Sequence, residues 1–200
     1  MPKRGFVTAS QTSCLLVNGS TRPPFGRGAV TYSRQLARDM YDIETEEFHS
    51  DDIDRGNELE DAAIACFERK LFVEIKRPNF MVHPEIDFFG GTPDGLAADF
   101  GMDAKCPNQK NHHDNLSEGM QLGKYKAQFQ SYMAITGLDR WALASYNPTF
   151  TKNTQMVVAW MDRDEGYIEK LLDRVKKFHP IVMEELEQLK NYNPKKTLII

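Results

Sequence analysis

The feature that most constrains the fold is a series of four short strand-like segments between Leu71 and Cys106. Apolar and aromatic residues recur in them, and glycines separate them, as is typical of short strands joined by turns. The segments are "LFVEIKR" (71–77), "NFMVH" (79–83), "GLAADF" (95–100) and "MDAKC" (102–106), with Gly90-Gly91 and Gly101 as the expected turns. Such a series predicts a β-sheet in the middle of the chain.

Helical patterns surround this strand series. We predict helices over residues 9–17, 29–43, about 54–71, 124–137 and 164–190, a loop over 17–29, and two further strands over 140–147 and 154–161. Pro180 should kink or split the last helix, because proline removes a backbone donor. The order of elements predicts an α/β (α+β) fold class, with a central mixed β-sheet flanked by helices, in a single domain of residues 1–200.

The composition narrows the class of protein further. A chain that is 40% hydrophobic and 27% charged is typical of a globular protein rather than a disordered one. No apolar run approaches the roughly 20 residues of a membrane helix, and the N-terminus is a poor signal peptide. Three scattered cysteines, Cys14, Cys66 and Cys106, indicate free thiols in a reducing compartment. With a net charge of −4, binding to DNA would require a local basic patch.

The segment "GGTPDGLAADFGMDAKCP" (90–107) contains two aspartates nine positions apart, Asp94 and Asp103, and a lysine at position 105. Side chains alternate along a strand, so Asp103 and Lys105 should share one face while Ala104 lies on the other. If the last two strand-like segments pair as a hairpin, Asp94 comes close to both. The segment therefore predicts two carboxylates and one ammonium group together at one edge of the sheet.

Two neighbouring carboxylates repel each other unless a cation lies between them. Hard oxygen ligands suit Mg²⁺ or Mn²⁺, which can polarise a phosphoryl oxygen and acidify a water molecule. A lysine beside the metal can position the attacking water or neutralise charge in the transition state. These groups predict phosphodiester hydrolysis. The alternative is a plain "TPDG" turn next to a surface ion pair.

The same residues resemble the core of the PD-(D/E)xK nuclease superfamily, and further motifs resemble its lambda exonuclease-type phage recombination nucleases, the viral recombinase nucleases. Five segments carry this resemblance in the family's order: "VTAS" (7–10), "RGNELE" (55–60), the core "TPDGL" with "DAKCP", "AQFQ" (127–130) and "SYNP" (145–148). They span nearly the whole chain.

The resemblance implies a restriction-endonuclease-like core and an activity. We expect a Mg²⁺-dependent exonuclease, with Mn²⁺ as a substitute, that digests linear double-stranded DNA from 5′ to 3′ and leaves 3′ single strands for recombination. It also implies a homotrimeric ring, a single-strand annealing protein as partner, and a location in the bacterial or phage-infected host cytoplasm, with no membrane association.

The resemblance further assigns roles to individual residues. The implied metal ligands are Asp94, Asp103, the carbonyl of Ala104 and Glu60; the implied catalytic residues are Lys105, Asp94, Asp103, Glu60 and Gln130; the implied DNA or 5′-phosphate contacts are Lys3, Arg4, Ser10, Thr92, Lys110 and His112. Gln128 and Gln130 are two positions apart and cannot share one helix face. Of the two, Gln130 is predicted to point at the site.

Two other functions remain open at this stage. One is an endonuclease of the same superfamily, which would cut closed circular DNA. The other is a DNA-end-binding protein that has kept the fold and lost turnover, although the intact set of Asp94, Asp103, Lys105 and Glu60 argues against it.

Trp141 and Trp160 are predicted to pack in the interior, as is Cys106. Candidates for the local basic patch are Arg22, Arg27, Arg34 and Arg38.

Overall fold

The structure is a computed structural model that describes residues 4–19, 24–41 and 51–192, with the backbone alone for residues 51–54, 56 and 57. The α-helices are α1 (Arg27–Met40), α2 (Asp51–Leu71), α3 (Gln109–Ser117), α4 (Lys126–Thr136) and α5 (Glu165–Lys190). The strands are β1 (Val7–Thr8), β2 (Met81–His83), β3 (Ile86–Gly91), β4 (Gly95–Leu96), β5 (Gly101–Lys105), β6 (Arg140–Tyr146) and β7 (Met156–Asp162). Two 3₁₀ helices cover Ala9–Leu16 and Leu122–Tyr125.

The strands form two sheets, in the orders β1-β3-β2 and β4-β5-β6-β7. Both sheets are mixed, because β1 runs parallel to β3 and β5 runs parallel to β6, whereas the other pairs are antiparallel. Helices cover them, which confirms the predicted α/β class with mixed sheets flanked by helices. Among the described residues, no helix is long and apolar enough to cross a membrane.

The four-stranded sheet has an apolar cluster on each face. One cluster joins Trp141 and Leu143 of β6 to helices α1, α4 and α5. The other joins Met102 and Ala104 of β5 to α2. Asp103 lies between these last two residues and faces α4, because side chains alternate along the strand. The predicted separation of Asp103 from Ala104 is therefore confirmed, as is the interior position of Cys106.

The hairpin around the site forms, but with a different turn from the one expected. β4 and β5 pair antiparallel with Gly95 opposite Met102 and Leu96 opposite Gly101. The turn lies before Gly101, where the Ala97 amide donates to the Phe100 carbonyl at 2.9 Å. Gly101 itself begins β5, directly against the indole ring of Trp141.

Three further predictions of secondary structure were wrong. Residues 71–77 are not a strand, since α2 continues to Leu71 and Phe72 turns the chain with a φ of 55°. Gly90 and Gly91 are not a turn but the end of β3, where a side chain at Gly90 would collide with the carbonyl of Met81 on β2. Helix α5 is not split at Pro180, since it is continuous from Glu165 to Lys190; a kink at the proline stays a prediction.

Gly101→Ala should destabilise the fold, because the added methyl group would overlap the Trp141 ring in a close-packed core. Overpacking of this kind lowers the free energy of unfolding by about 1 to 3 kcal/mol. Urea unfolding would measure it, with Gly123→Ala as the matched control, since a methyl group there meets no atom within 4 Å. Equal stability of the two variants would contradict the packing described here.

Candidate active site

The structure brings Asp94, Asp103 and Lys105 together at the junction of β4 and β5. Asp94 precedes β4, and its Oδ2 accepts a hydrogen bond from the Ala104 amide at 2.9 Å. The Lys105 ammonium lies 3.8 Å from Asp94 Oδ2 and 3.5 Å from Asp103 Oδ2. The two carboxylates thus share the ammonium group of Lys105, as the sequence predicts. An ordinary surface ion pair is excluded, because the Asp103 side chain is only 1% exposed.

Asp103 is a buried carboxylate with a donor on each oxygen. Trp141 Nε1 donates to its Oδ1 at 3.2 Å, and Gln128 Nε2 donates to its Oδ2 at 2.9 Å. Burial, and then the negative charge of Asp94, raise the pKa of Asp103 to about 7. Lys105 and the Trp141 hydrogen bond act in the opposite direction. Any positive charge added between the two aspartates would therefore stabilise the ionised pair.

Lys105 is held in its charged form by these neighbours. Burial alone would lower the pKa of Lys105, but the charges of Asp103 and Asp94 outweigh burial and raise that pKa above its ordinary value. The side chain is 38% exposed, so its ammonium group still reaches the surface beside the carboxylates. It can donate hydrogen bonds to an anion that approaches from solvent.

Glu60 extends from α2 towards the same place. Burial raises the pKa of Glu60, and the negative charge of Asp94 raises it as well. Arg77 lies 3.7 Å from Glu60 and also pairs with Asp61. Glu60 is therefore at the margin of the site, and its role as a ligand stays a prediction.

The donor set fits a hard divalent cation. Within the part of the chain that the structure describes, no group of three or more His, Cys, Asp or Glu side chains is arranged to hold a metal ion. Two carboxylates that repel each other and the backbone carbonyl of Ala104 would leave several positions for water. Mg²⁺ binds in this way, through one or two carboxylates with several retained waters.

The prediction that Gln130 points at the site was wrong, and Gln128 takes that place. Gln130 is fully buried. Its Nε2 donates to the Asp162 carbonyl and its Oε1 accepts from the Asp164 amide, each at 2.9 Å. It therefore joins α4 to the segment between β7 and α5. No spacing in the sequence distinguishes the two glutamines, because the choice depends on which face of α4 packs against β5.

Trp141 and Tyr132 are site residues that the sequence analysis missed. Trp141 packs in the core as predicted, yet its ring nitrogen also donates to Asp103. The Tyr132 ring stacks on Trp141, with centroids 5.0 Å apart, and its hydroxyl donates to the Thr92 carbonyl at 3.0 Å. Neither contact could be read from spacing alone, because both depend on how β6 and α4 pack against β5.

Comparison with known proteins identifies the family. The YqaJ-like viral recombinase domain matches residues 3–139. The chain belongs to this family. Its resemblance to the viral recombinase nucleases is thereby confirmed, and a nuclease function with DNA as substrate follows from the family. No curated protein matches the sequence.

Three solved structures share the fold of this viral recombinase domain. The alkaline exonuclease LHK-Exo from Laribacter hongkongensis has 26% identity and a TM-score of 0.84, over 97% of this chain and 96% of that one. Its complex with dAMP has 27% identity and a TM-score of 0.83, with the same coverage. A phage-related exonuclease from Haemophilus somnus 129PT has 18% identity and a TM-score of 0.71, over 92% and 94% of the two chains. These neighbours have the PD-(D/E)xK-like fold.

Two of the predicted phosphate contacts in this viral recombinase domain lie at one end of the three-stranded sheet. β1 and β3 are parallel, and Thr8 lies opposite Gly90. Ser10 and Thr92 each lie two residues beyond this pair, so both are at the same end of the sheet. Both side chains are exposed. Arg4 is also exposed, whereas Lys3 lies outside the described residues.

The other two predicted contacts lie on α3, and one of them was wrong. Lys110 is 81% exposed and pairs with Asp114 at 2.7 Å, so it can reach solvent. His112 is fully buried, with Nδ1 2.9 Å from Ser145 Oγ and Nε2 2.8 Å from the Thr154 carbonyl. Both ring nitrogens have protein partners, so His112 holds α3 on the sheet and does not face DNA.

The two glutamines of α4 allow a matched test of the site. Gln128→Met should lower nuclease activity by about 10-fold or more, because it removes a donor that orients Asp103. Gln130→Met should instead lower the free energy of unfolding by about 1 to 3 kcal/mol, since it leaves two backbone groups without their partner. Thermal unfolding and nuclease assays well below the melting temperature separate these effects. The reverse pattern would restore Gln130 to the site.

Proposed function

We propose that this protein is a Mg²⁺-dependent exonuclease that digests linear double-stranded DNA from 5′ ends and leaves 3′ single strands. The observation that carries the proposal is the Asp94–Asp103 pair with Lys105 between its carboxylates, in a chain of the viral recombinase family. The similar LHK-Exo is an alkaline exonuclease and forms a complex with dAMP. A nucleoside monophosphate is what an exonuclease would release from a DNA end.

The chemistry follows from what the residues of the site can do. Mg²⁺ held by Asp94, Asp103 and the Ala104 carbonyl, with Glu60 at the margin, would supply charge for the scissile phosphate and a more acidic water, and Mn²⁺ would substitute for it. Lys105 would donate to the phosphate and neutralise the negative charge that develops during hydrolysis. Trp141 and Gln128 hold Asp103 in one orientation, so its carboxylate would not reorganise during the reaction.

The 5′ polarity would come from the sheet end next to the site. Ser10 and Thr92 present exposed hydroxyl groups there, and Arg4, which is exposed before β1, would add positive charge to the DNA-binding surface. Hydroxyl and guanidinium groups are good donors to a terminal phosphate. A 5′-phosphorylated end would therefore bind with its first phosphodiester near Lys105. Lys3 and Lys110 would add to the attraction of the DNA backbone.

We also propose an oligomeric state, a partner protein and a location in the cell. Three copies of the 22.9 kDa chain would form a ring around duplex DNA, which would keep the enzyme on its substrate. The 3′ strand that the reaction exposes would be passed to a single-strand annealing protein. The setting would be the cytoplasm of a bacterium or a phage-infected host. Light scattering coupled to gel filtration would measure the mass, and a monomer at working concentration would contradict the ring.

Lys105→Ala tests the catalytic assignment on linear duplex DNA labelled at either strand end. The wild type with Mg²⁺ should degrade 5′-phosphorylated strands from 5′ to 3′, and the variant should be slower by about 10²-fold or more. Lys177→Ala is the matched control, because Lys177 also pairs with an aspartate, on the exposed face of α5.

Three other outcomes of that assay would change the proposal. Nicking of closed circles with intact linear ends would indicate an endonuclease of the same superfamily. Degradation from 3′ ends would reverse the polarity. Tight binding of DNA ends without cleavage in Mg²⁺ or Mn²⁺ would indicate an end-binding protein and would remove the catalytic roles of Asp94, Asp103 and Lys105.

Metal removal tests the cofactor separately. Activity should disappear in EDTA and return with Mg²⁺ or Mn²⁺. Asp94→Asn should need a much higher metal concentration, since the amide keeps an oxygen for the Ala104 amide but loses the negative charge. Asp173→Asn on α5 should match the wild type in its metal dependence. Full activity in EDTA, or an unchanged metal requirement in Asp94→Asn, would contradict a metal site at this pair.

A further inference from the structure

The two aspartates of the site lie on separate segments, and something must set the distance between them. Asp103 is in the middle of β5, whereas Asp94 lies in the loop between β3 and β4. The Ala104 amide holds Asp94 directly, through one hydrogen bond. A site that binds a cation between two carboxylates requires their separation to be held more firmly than one bond on an irregular loop allows.

Tyr132 of α4 contacts both segments through one hydroxyl group. That hydroxyl donates to the Thr92 carbonyl at 3.0 Å, two residues before Asp94. It also lies 3.4 Å from Nε2 of Gln128, the same nitrogen that donates to Asp103 at 2.9 Å. A continuous chain of hydrogen bonds therefore runs from the loop of Asp94 to the carboxylate of Asp103.

The backbone around Thr92 transmits this contact. The next residue, Pro93, is buried and has a fixed φ, so the Thr92 carbonyl and the start of Asp94 are connected by stiff geometry. On the other side, a side chain at Gly91 would come within 2.8 Å of the Tyr132 ring and 3.0 Å of Ala9. The end of β3 therefore lies directly against Tyr132.

The ring of Tyr132 is itself held in place. It stacks on Trp141, which donates to the other oxygen of Asp103. Burial, and then the charge of Asp103, raise the pKa of Tyr132, so its hydroxyl keeps the proton that it donates to Thr92. The ring and the hydroxyl thus reach Asp103 by two routes, one through Trp141 and one through Gln128.

We propose that Tyr132 is a positioning residue that sets the separation of Asp94 and Asp103, by tying the Thr92–Asp94 loop to α4. The metal in this proposal rests on the proposed function, whereas the hydrogen bonds of Tyr132 do not. Partners outside the immediate ligands typically change metal affinity or activity by about 10- to 100-fold. Tyr132 should act in this range although it does not touch the metal or the substrate.

Tyr132→Phe removes the hydroxyl and keeps the stacked ring, and two readouts follow from it. Without metal, amide hydrogen exchange of the peptide 86–96 should become faster, while the peptide 168–178 of α5 reports on global stability and should not change. With Mn²⁺ alone as the probe, titration followed by electron paramagnetic resonance should show an affinity weakened by about 10-fold or more. Tyr146→Phe is the matched control, since Tyr146 is buried in the other apolar cluster.

The outcomes separate this proposal from the proposed function. Faster exchange in 86–96 together with weaker Mn²⁺ binding supports it. If exchange is faster in Tyr132→Phe but the wild type binds no Mn²⁺, the positioning role is supported and the metal site is contradicted. Unchanged exchange in 86–96, or an equal increase in α5, overturns the role of Tyr132 whatever the Mn²⁺ titration shows.

Discussion

The structure depends on the burial of one carboxylate, Asp103, inside the face of the sheet that packs on α4. A buried charge is stable only when it is paired and hydrogen-bonded. Asp103 meets this condition through Trp141, Gln128 and Lys105, which come from β6, α4 and its own strand. The chain therefore keeps a carboxyl group with a raised pKa at the centre of a well-packed region. Ionisable groups with perturbed pKa values are typical of functional sites.

The surrounding fold keeps this group in place from several directions. β5 lies between β4 and β6, and Asp103 is paired with Leu143 of β6. Helix α2 fills the opposite face of the sheet under Ala104, and α4 covers the face of Asp103. His112 and Gln130 are two polar residues that maintain the frame: one holds α3 on β6, and the other joins α4 to the start of α5. Polar side chains thus occur both at the candidate site and in the frame that supports it.

The parts of the site that could be predicted from the sequence are those that depend on local geometry. Alternation along β5 places Asp103 and Lys105 on one face of the strand and Ala104 on the other. The hairpin of β4 and β5 brings Asp94 near Asp103 and Lys105. The roles of Gln128, Trp141 and His112 depend on which helix face meets the sheet, and that is decided by packing between distant segments. Gln128 and Gln130 are chemically identical, so only the tertiary contacts of α4 distinguish them. Gly101 was misjudged for a similar reason, because it makes room for Trp141 rather than forming a turn.

The most direct test of the account is the position of a bound metal. Crystals grown with Mn²⁺ would be measured for anomalous scattering without DNA. The account predicts a peak between the carboxylates of Asp94 and Asp103 and next to the Ala104 carbonyl, with Lys105 displaced from its place between the two aspartates. A protein saturated with Mn²⁺ at another position, or an empty Asp94–Asp103 pair at high Mn²⁺ concentration, would contradict it.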